Sequence, residues 1–399
     1  MDRRSFLRSG AALTTIGLAG CTGQDSPETS TGGDGGGAAG TPTDTPTATG
    51  TATETETLTE TATSTASETP YSVSMEPVGE VTFESVPETW VANNGSWADM
   101  GVALGLEPPE GVWLPGRYHT QYYDEIPGVS VDKSGIAKLW GDSGVGKEQF
   151  YEFDADVHVF DPNFLINRSK GWERSDIEEI SEGVAPFFGN SIFSGGYEWH
   201  DDYKYYSLYE AFEKLAQAFR RTERYAAFES LHEEFQSNVA DVVPSGGERP
   251  SVAIFWAGGN EPKEFSPYLI HEGTSFKQWR DLEVRDALAE TDVKDFHATR
   301  ARVGFETMLE IDPEVVLFRG HESQTREAFQ STVVAYMEDH DVASGLTAVQ
   351  NGDVYRGGPL YQGPITNLVV TERAAKQVYD VEETLFDRER VAAIVNGDV

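Results

Sequence analysis

Few residues of this 399-residue chain are arranged for covalent chemistry. Gly141-Asp-Ser-Gly-Val-Gly-Lys147 has the G-x4-G-K spacing of a phosphate-cradling loop, but Glu148 stands where a Ser or Thr would hold magnesium. A carboxylate there repels phosphate, so the segment reads as a Gly-rich loop before a helix. The eight histidines, at 119, 158, 200, 232, 271, 297, 321 and 340, form no H-E-x-x-H, no H-x-H and no His-rich loop. Trp199-His-Asp-Asp202 could bind a cation but reads as a solvated turn. Ser143-Gly and Ser194-Gly-Gly lack the G-x-S-x-G surroundings of a nucleophile elbow. No catalytic residue, metal site or cofactor is therefore assigned, and the residues favour holding a solute over transforming it.

Residues suited to holding one lie just past the candidate buried strands, where the C-terminal ends of strands in α/β sheets open onto a crevice. Thr89-Trp-Val-Ala-Asn93 leads into Asn94 and Trp97. The strand ending at Phe160 leads to Asp161-Pro-Asn163, with Arg168 beyond. Trp256 closes a third strand, Phe318 leads into Arg319-Gly-His321, and the last strand ends in Tyr355-Arg356. Aromatic rings supply flat, desolvated walls, and guanidinium forks donate to oxygen. Asn94, Trp97, Asn163, Arg168, Trp256, Arg319, His321 and Arg356 are thus the candidate ligand-binding residues. Tyr122-Tyr123 has the look of a ferric-iron tyrosine pair but reads as core.

The elements that must position these residues form two halves. Gly146 to Phe160 and Gly304 to Phe318 share the pattern G-x-E-x-x-x-E-x-D-x-[D/E]-V-x-[V/L]-F at a constant offset. Each reads as a short helix, an acidic turn and a buried strand, as expected of a duplicated α/β lobe. Between them, Leu208, Phe212, Leu215, Phe219, Tyr225, Phe228, Leu231 and Phe235 recur at roughly helical spacing, with no Gly or Pro before Pro244. The expectation is one rod over residues 203–243, about 60 Å long at 1.5 Å per residue, bridging lobes at 76–202 and 244–399.

Ahead of the lobes lies an address. Arg3-Arg4-Ser5-Phe6-Leu7 is a twin-arginine pattern, and the apolar run Ala11–Ala19 is too short to span a bilayer. Leu18-Ala19-Gly20-Cys21 is similar to a lipoprotein signal, with Cys21, the sole cysteine, as the lipidated residue. Residues 22–75 are Gly-rich and then Thr-rich, too poor in large apolar side chains to fold, and read as a disordered tether. The formal net charge of −37, from 67 acidic against 30 basic residues, repels nucleic acid and anionic lipid headgroups. It resembles the acidic surfaces of salt-loving archaeal proteins.

Taken in order, signal, tether, lobe, rod and lobe resemble the class III substrate-binding proteins of ABC importers for ferric siderophores, haem and cobalamin. Glu306-Thr-Met-Leu-Glu-Ile-Asp-Pro-Glu-Val-Val-Leu317 is close to that family's E-x-L-x-x-x-x-PD-V-I element. Thr347-Ala-Val-Gln-Asn-Gly-Asp-Val-Tyr355 is similar to its late strand, with a helix over about Asn367 to Tyr379 following. The resemblance implies two Rossmann-like α/β lobes with central sheets, joined by a single long spanning helix around a ligand cleft. It implies no catalysis, a membrane permease and its ATPase subunit as partners, and anchoring at the extracellular face. Ferric siderophore is the first solute class, and cobalamin or haem the second. Glu148 and Glu306 match the surface glutamates that dock on permease arginines. An extracellular hydrolase and a structural surface lipoprotein are the rival readings from other classes.

Overall fold

The computed structural model describes residues 69–142 and 144–398. The expected signal over 1–21, with Cys21, and nearly all of the expected tether fall outside the described residues. The end of that tether requires correction, because Tyr71–Met75 (β1) pairs antiparallel with Gly79–Phe83 (β2). Val73, Met75, Val81 and Phe83 point inward while Ser72, Ser74, Glu80 and Thr82 point out, the period-two alternation of a half-buried hairpin. Composition hid this strand, since only every second residue carries the apolar signal.

The first half builds a parallel sheet from Trp90–Ala92 (β3), Gly111–Val112 (β4), Ala137–Lys138 (β5) and Val157–Val159 (β8), in the order β5-β4-β3-β8. Trp140–Gly141 (β6) and Gly144–Val145 (β7) form a small separate hairpin. Every residue of β3 and β8 is buried, as expected for parallel strands covered on both faces. Four helices surround this sheet: Gly95–Ala103 (α1), Glu148–Glu152 (α2), Pro162–Arg168 (α3) and Arg174–Gly183 (α4). Asn94 and Asp161 stand two residues past β3 and β8 and are spent as helix N-caps, accepting from the backbone N–H of Ser96 and Asn163.

The single rod over 203–243 is not observed. Leu208–Ala218 (α5) and Thr222–Val242 (α6) are separate helices packed on each other, with Phe212 edge-on to Tyr225 and Phe228. The break falls at Arg220, whose φ of 49° is left-handed. Phe219 turns beneath Trp90, ring centroids 5.6 Å apart, and Arg220 lies over Tyr71 at 4.0 Å. Tertiary packing thus bends a stretch that carries no breaker residue. With its 21 residues α6 reaches only about 30 Å.

The second half repeats the plan. Ser251–Trp256 (β9), Ser266–Tyr268 (β10), Arg285–Asp286 (β11), Val315–Arg319 (β12) and Val354–Arg356 (β13) form a sheet of order β10-β9-β12-β13, with β11 pairing the start of β9. Its helices are Lys277–Asp281 (α7), Phe296–Thr299 (α8), Phe305–Ile311 (α9), Arg326–Phe329 (α10), Ala335–Asp339 (α11) and Thr347–Asn351 (α12). Both halves of the expected repeat form: α2 leads to β8 and α9 to β12. The acidic turns match in detail, since Asp154 and Asp312 both adopt left-handed backbone, with φ of 48° and 43°.

The chain ends with Pro364–Val378 (α13) and Arg388–Asn396 (α14). These helices, expected within the second lobe, also reach the first: α13 touches α1, the 3-10 turn Thr120–Glu125 and α7, and α14 touches α6 and α1. One apolar core runs through both halves by way of Trp90, Phe235, Ile254, Trp279 and Leu368, while two smaller cores back the individual sheets. A buried polar seam joins the halves. Asp99 of α1 accepts the Tyr123 hydroxyl at 2.7 Å and the Thr366 N–H at 3.0 Å, while Ser96 accepts the Gln362 N–H at 3.1 Å. Glu322, after β12, pairs with Arg373 of α13 at 3.1 Å and accepts the Tyr122 hydroxyl. No helix among the described residues is long and apolar enough to cross a membrane.

Candidate functional site

A cavity of about 260 Å³ lies where the two sheets present their strand ends. The first half contributes Trp113 and Arg117 beyond β4, Phe164 and Arg168 of α3, and Phe193 and Tyr197 from the segment after α4. The second contributes Trp256 at the end of β9, Ser266 and Tyr268 of β10, Phe296 and His297 of α8, Arg300 and Arg302 just after it, and Leu360 and Tyr361 after β13.

Two features of this lining matter chemically. Eight of its side chains are Trp, Tyr or Phe, and they pack edge to face: Trp113 on Phe164 at 4.8 Å, Phe193 on Tyr361 at 5.3 Å. Such walls suit a flat or aromatic ligand. The lining also holds four arginines and no carboxylate, in a chain whose acidic residues outnumber basic ones more than twofold. Arg302 turns to Glu264 at 2.9 Å. Arg117 reaches across the cavity and stacks over Trp256, its guanidinium carbon 4.7 Å from the ring centroid. Burial pushes the phenol of Tyr361 up, with Arg117 and Arg168 opposing the shift. Burial likewise raises Tyr197 and Tyr268. All three phenols therefore stay neutral and can donate hydrogen bonds. Guanidinium forks, neutral hydroxyl donors and aromatic faces together suit an anionic ligand that carries rings or oxygen ligands.

Of the eight candidate ligand-binding residues, Arg168 and Trp256 line this cavity. Asn94 is a fully buried helix cap and Trp97 belongs to the central core. Asn163 accepts from Arg174 at 3.2 Å and lines a different groove, beside Pro77 and Phe187. Arg319 is wholly buried behind the cavity wall. Its guanidinium lies 4.1 Å from the Phe276 ring and 5.8 Å from that of Tyr268, and it donates to the carbonyl of Ser275. His321 is buried beside Phe318 and Phe329. Arg356 donates to the Gln324 carbonyl at 2.5 Å. Proximity to a strand end brings Arg168 and Trp256 to the cavity and is a poor guide to the other side chains, because a residue just past a strand is often consumed by capping or by the core. Six of the fifteen lining residues come from segments 193–197 and 296–302, which topology brings to the strand ends. Arg300-Ala-Arg302 was the visible signal, a basic pair in a chain starved of bases.

Other singled-out residues have structural partners. Lys147 of the Gly-rich loop is bound to Asp176 at 2.5 Å. His200 stacks on Tyr203, centroids 3.9 Å apart. Tyr122 and Tyr123 are buried in the seam through their bonds to Glu322 and Asp99, as their core reading anticipates. Glu148 and Glu306 stand exposed in the first turns of α2 and α9. Each carboxylate folds back over the glycine two residues before it, so that a Cβ added to Gly146 or Gly304 would meet it at 3.2 or 3.0 Å.

Comparison with known proteins agrees with this architecture. A family model described as "Periplasmic binding protein" matches residues 161–360. Among curated proteins, no sequence matches the chain significantly. Solved structures of similar fold include three at low identity. The triscatecholate siderophore binding protein FeuA from Bacillus subtilis, complexed with ferri-bacillibactin, is 15% identical, with 75% of this chain and 96% of that chain covered at a TM-score of 0.50. The iron uptake ABC transporter substrate-binding protein PiuA from Streptococcus pneumoniae is 14% identical, covering 77% and 96% at 0.51. An ABC-type Fe3+-hydroxamate transport protein from Saccharomonospora viridis is 18% identical, covering 78% and 99% at 0.51. At such identities the likeness speaks for the fold alone. The chain belongs to the periplasmic binding protein family, the solute-binding components of ABC importers that work outside the cytoplasmic membrane, and it carries their two-lobed class III fold.

Proposed function

We propose that this protein captures a negatively charged ferric chelate of the siderophore type and delivers it to a membrane permease. One observation carries the reading: four arginines and no carboxylate surround an aromatic-walled cavity at the strand ends of both halves. A chelate with anionic aromatic oxygen ligands, such as a catecholate, meets that lining with its charge and its rings together. Three structural neighbours concern a triscatecholate siderophore, iron uptake and Fe3+-hydroxamate, which supports a ferric chelate as the solute class; the choice of an anionic one rests on the arginines. A corrinoid would use the rings but leave most of the guanidinium charge uncompensated, and haem, whose two propionates would meet two of the guanidinium groups, brings less charge than a tris-catecholate; both rank behind.

In this reading Glu148 and Glu306, exposed at matching places in the two repeats, dock on basic residues of the permease, and a cytoplasmic ATPase powers import. The protein is exported by the twin-arginine route, lipidated at Cys21 and held off the membrane by the tether. Its lobes correspond to residues 71–202, with β1 included, and 244–399, with 203–243 between them.

The test is a fluorescence titration of the purified protein, since Trp113 and Trp256 line the cavity. Ferric iron with excess catechol should quench saturably at one site per chain, while cobalamin and a neutral ferric trihydroxamate bind at least tenfold more weakly. Absence of a saturable change with the ferric catecholate would remove the ligand class.

A further inference from the structure

One cation beside the arginine-lined cavity is no part of its lining. Arg319 closes β12 in direct register with Trp256 of β9, so the two side chains share one face of the sheet. Trp256 reaches the cavity, whereas Arg319 lies against the rings of Phe276 and Tyr268 and is wholly buried. Tyr268 lines the cavity, so a single aromatic ring stands between this guanidinium and the solute space.

The charge is poorly compensated. Nη2 donates to the Ser275 carbonyl, while Nε and Nη1 are buried with no hydrogen-bond partner. Glu322 and Asp295, the carboxylates whose field reaches it, are already held: Glu322 by Arg373, and Asp295 by the backbone N–H groups of His297 and Leu269. Burial pushes the guanidinium down to about 10, which leaves it charged at neutral pH. A cation taken out of water without its own anion is a cost to the fold, and packing does not explain it. A neutral side chain of similar volume would fill the same space, and the Ser275 carbonyl would keep the Gln362 amide, at 3.3 Å. What a buried cation does supply is a field that water and salt screen little. The lining arginines differ in this respect, since Arg168, Arg300 and Arg302 are exposed and Arg117 is half-buried. An anion lying against Tyr268 is the counterion that the fold itself does not provide.

We infer that Arg319 is an electrostatic specificity determinant of the cavity, an uncompensated cation held behind Tyr268 that favours an anionic solute over a neutral one without touching either. The inference rests on the proposed function and assigns part of its charge selectivity to a residue outside the lining.

Two variants separate charge from contact: Arg319→Met removes both the charge and the hydrogen bond, and Arg319→Gln removes the charge but keeps an amide donor. Wild type and both variants are titrated with ferric iron in excess catechol and with a neutral ferric trihydroxamate. Each variant should bind the catecholate about fivefold more weakly and the trihydroxamate as wild type does, and the factor lost should persist in added salt. Arg319→Met should also unfold at the same or a higher denaturant concentration than wild type, which no purely structural arginine would allow. A preference for the anion that survives in either variant, equal weakening of both chelates, a factor that vanishes in added salt, or a less stable Arg319→Met overturns the inference and leaves the arginine-lined site standing. A wild-type protein that binds no ferric catecholate overturns the proposed function, and this inference with it.

Discussion

At the scale of single residues, the cavity's arginines and the buried ion pair answer to different measurements. Arg117 contributes a cation–π contact with Trp256 and a charge facing the ligand. Arg117→Ala should weaken ferric catecholate binding about 10- to 100-fold, roughly 1.4–2.7 kcal/mol, with little change in folding stability, as read by titration and denaturant unfolding. Glu322 should behave in the opposite way. Burial pushes its carboxyl up, but Arg373 and Arg356 outweigh that and hold it below the usual carboxylate range. Glu322→Gln would strand the Arg373 guanidinium without its anion, so a loss of about 3–5 kcal/mol in unfolding free energy is expected. A loss under 1 kcal/mol would show that the pair is not a working joint between the halves. Residue identity at the site was only partly legible. Arg168 and Trp256 stand where a chain just past an element naturally faces the crevice, whereas Arg319 has the same sequence signature and is turned into the core.

At the scale of elements, α6, the longer piece of the expected rod, shares its bridging role with α13, since each touches α1 in the first half and α7 in the second. The periodicity from Leu208 to Phe235 marks helix correctly, yet it cannot register a bend enforced by Phe219 packing under Trp90. The repeat was more legible because each unit is local, with helix, left-handed Asp and buried strand set by neighbouring residues. What joins the halves is instead non-local: Asp99 on α1 accepts the N–H of Thr366 in the first turn of α13, where a carboxylate also meets the positive end of the helix. Burial raises the pKa of Asp99 to about 6, despite the hydrogen bonds from Tyr123 and Thr366. The sign of the pH effect follows. The folded state holds this proton more tightly than the unfolded chain, so the residue's contribution to stability rises as pH falls from about 6 to about 4. Relative to Asp99→Asn, wild type should gain about 2–3 kcal/mol across that window, measured by denaturant unfolding at constant ionic strength. A difference that is flat with pH, or that grows toward neutral pH, would contradict the buried cap.

At the scale of the whole molecule, a basic hollow sits in an acidic body. A formal charge of −37 repels an anionic chelate at long range, while the four arginines act only within the cleft. Added salt should therefore speed association of a ferric catecholate in stopped-flow experiments, the reverse of an ordinary basic receptor. The permease-facing glutamates belong to this scale too. Glu148→Arg with Glu306→Arg should abolish uptake while solute affinity stays normal, and unchanged uptake would remove their docking role.

The central claim is that arginines meet an anion in the cavity between the two sheets. Calorimetric titration of wild type and of the Arg117→Ala/Arg168→Ala double variant, with ferric catecholate and with a neutral ferric trihydroxamate of similar size, tests it most directly. The account predicts one site per chain, a preference for the anion of at least tenfold in wild type, and collapse of that preference in the variant. Equal affinity of both proteins for the catecholate, or a wild-type preference for the neutral chelate, would contradict it.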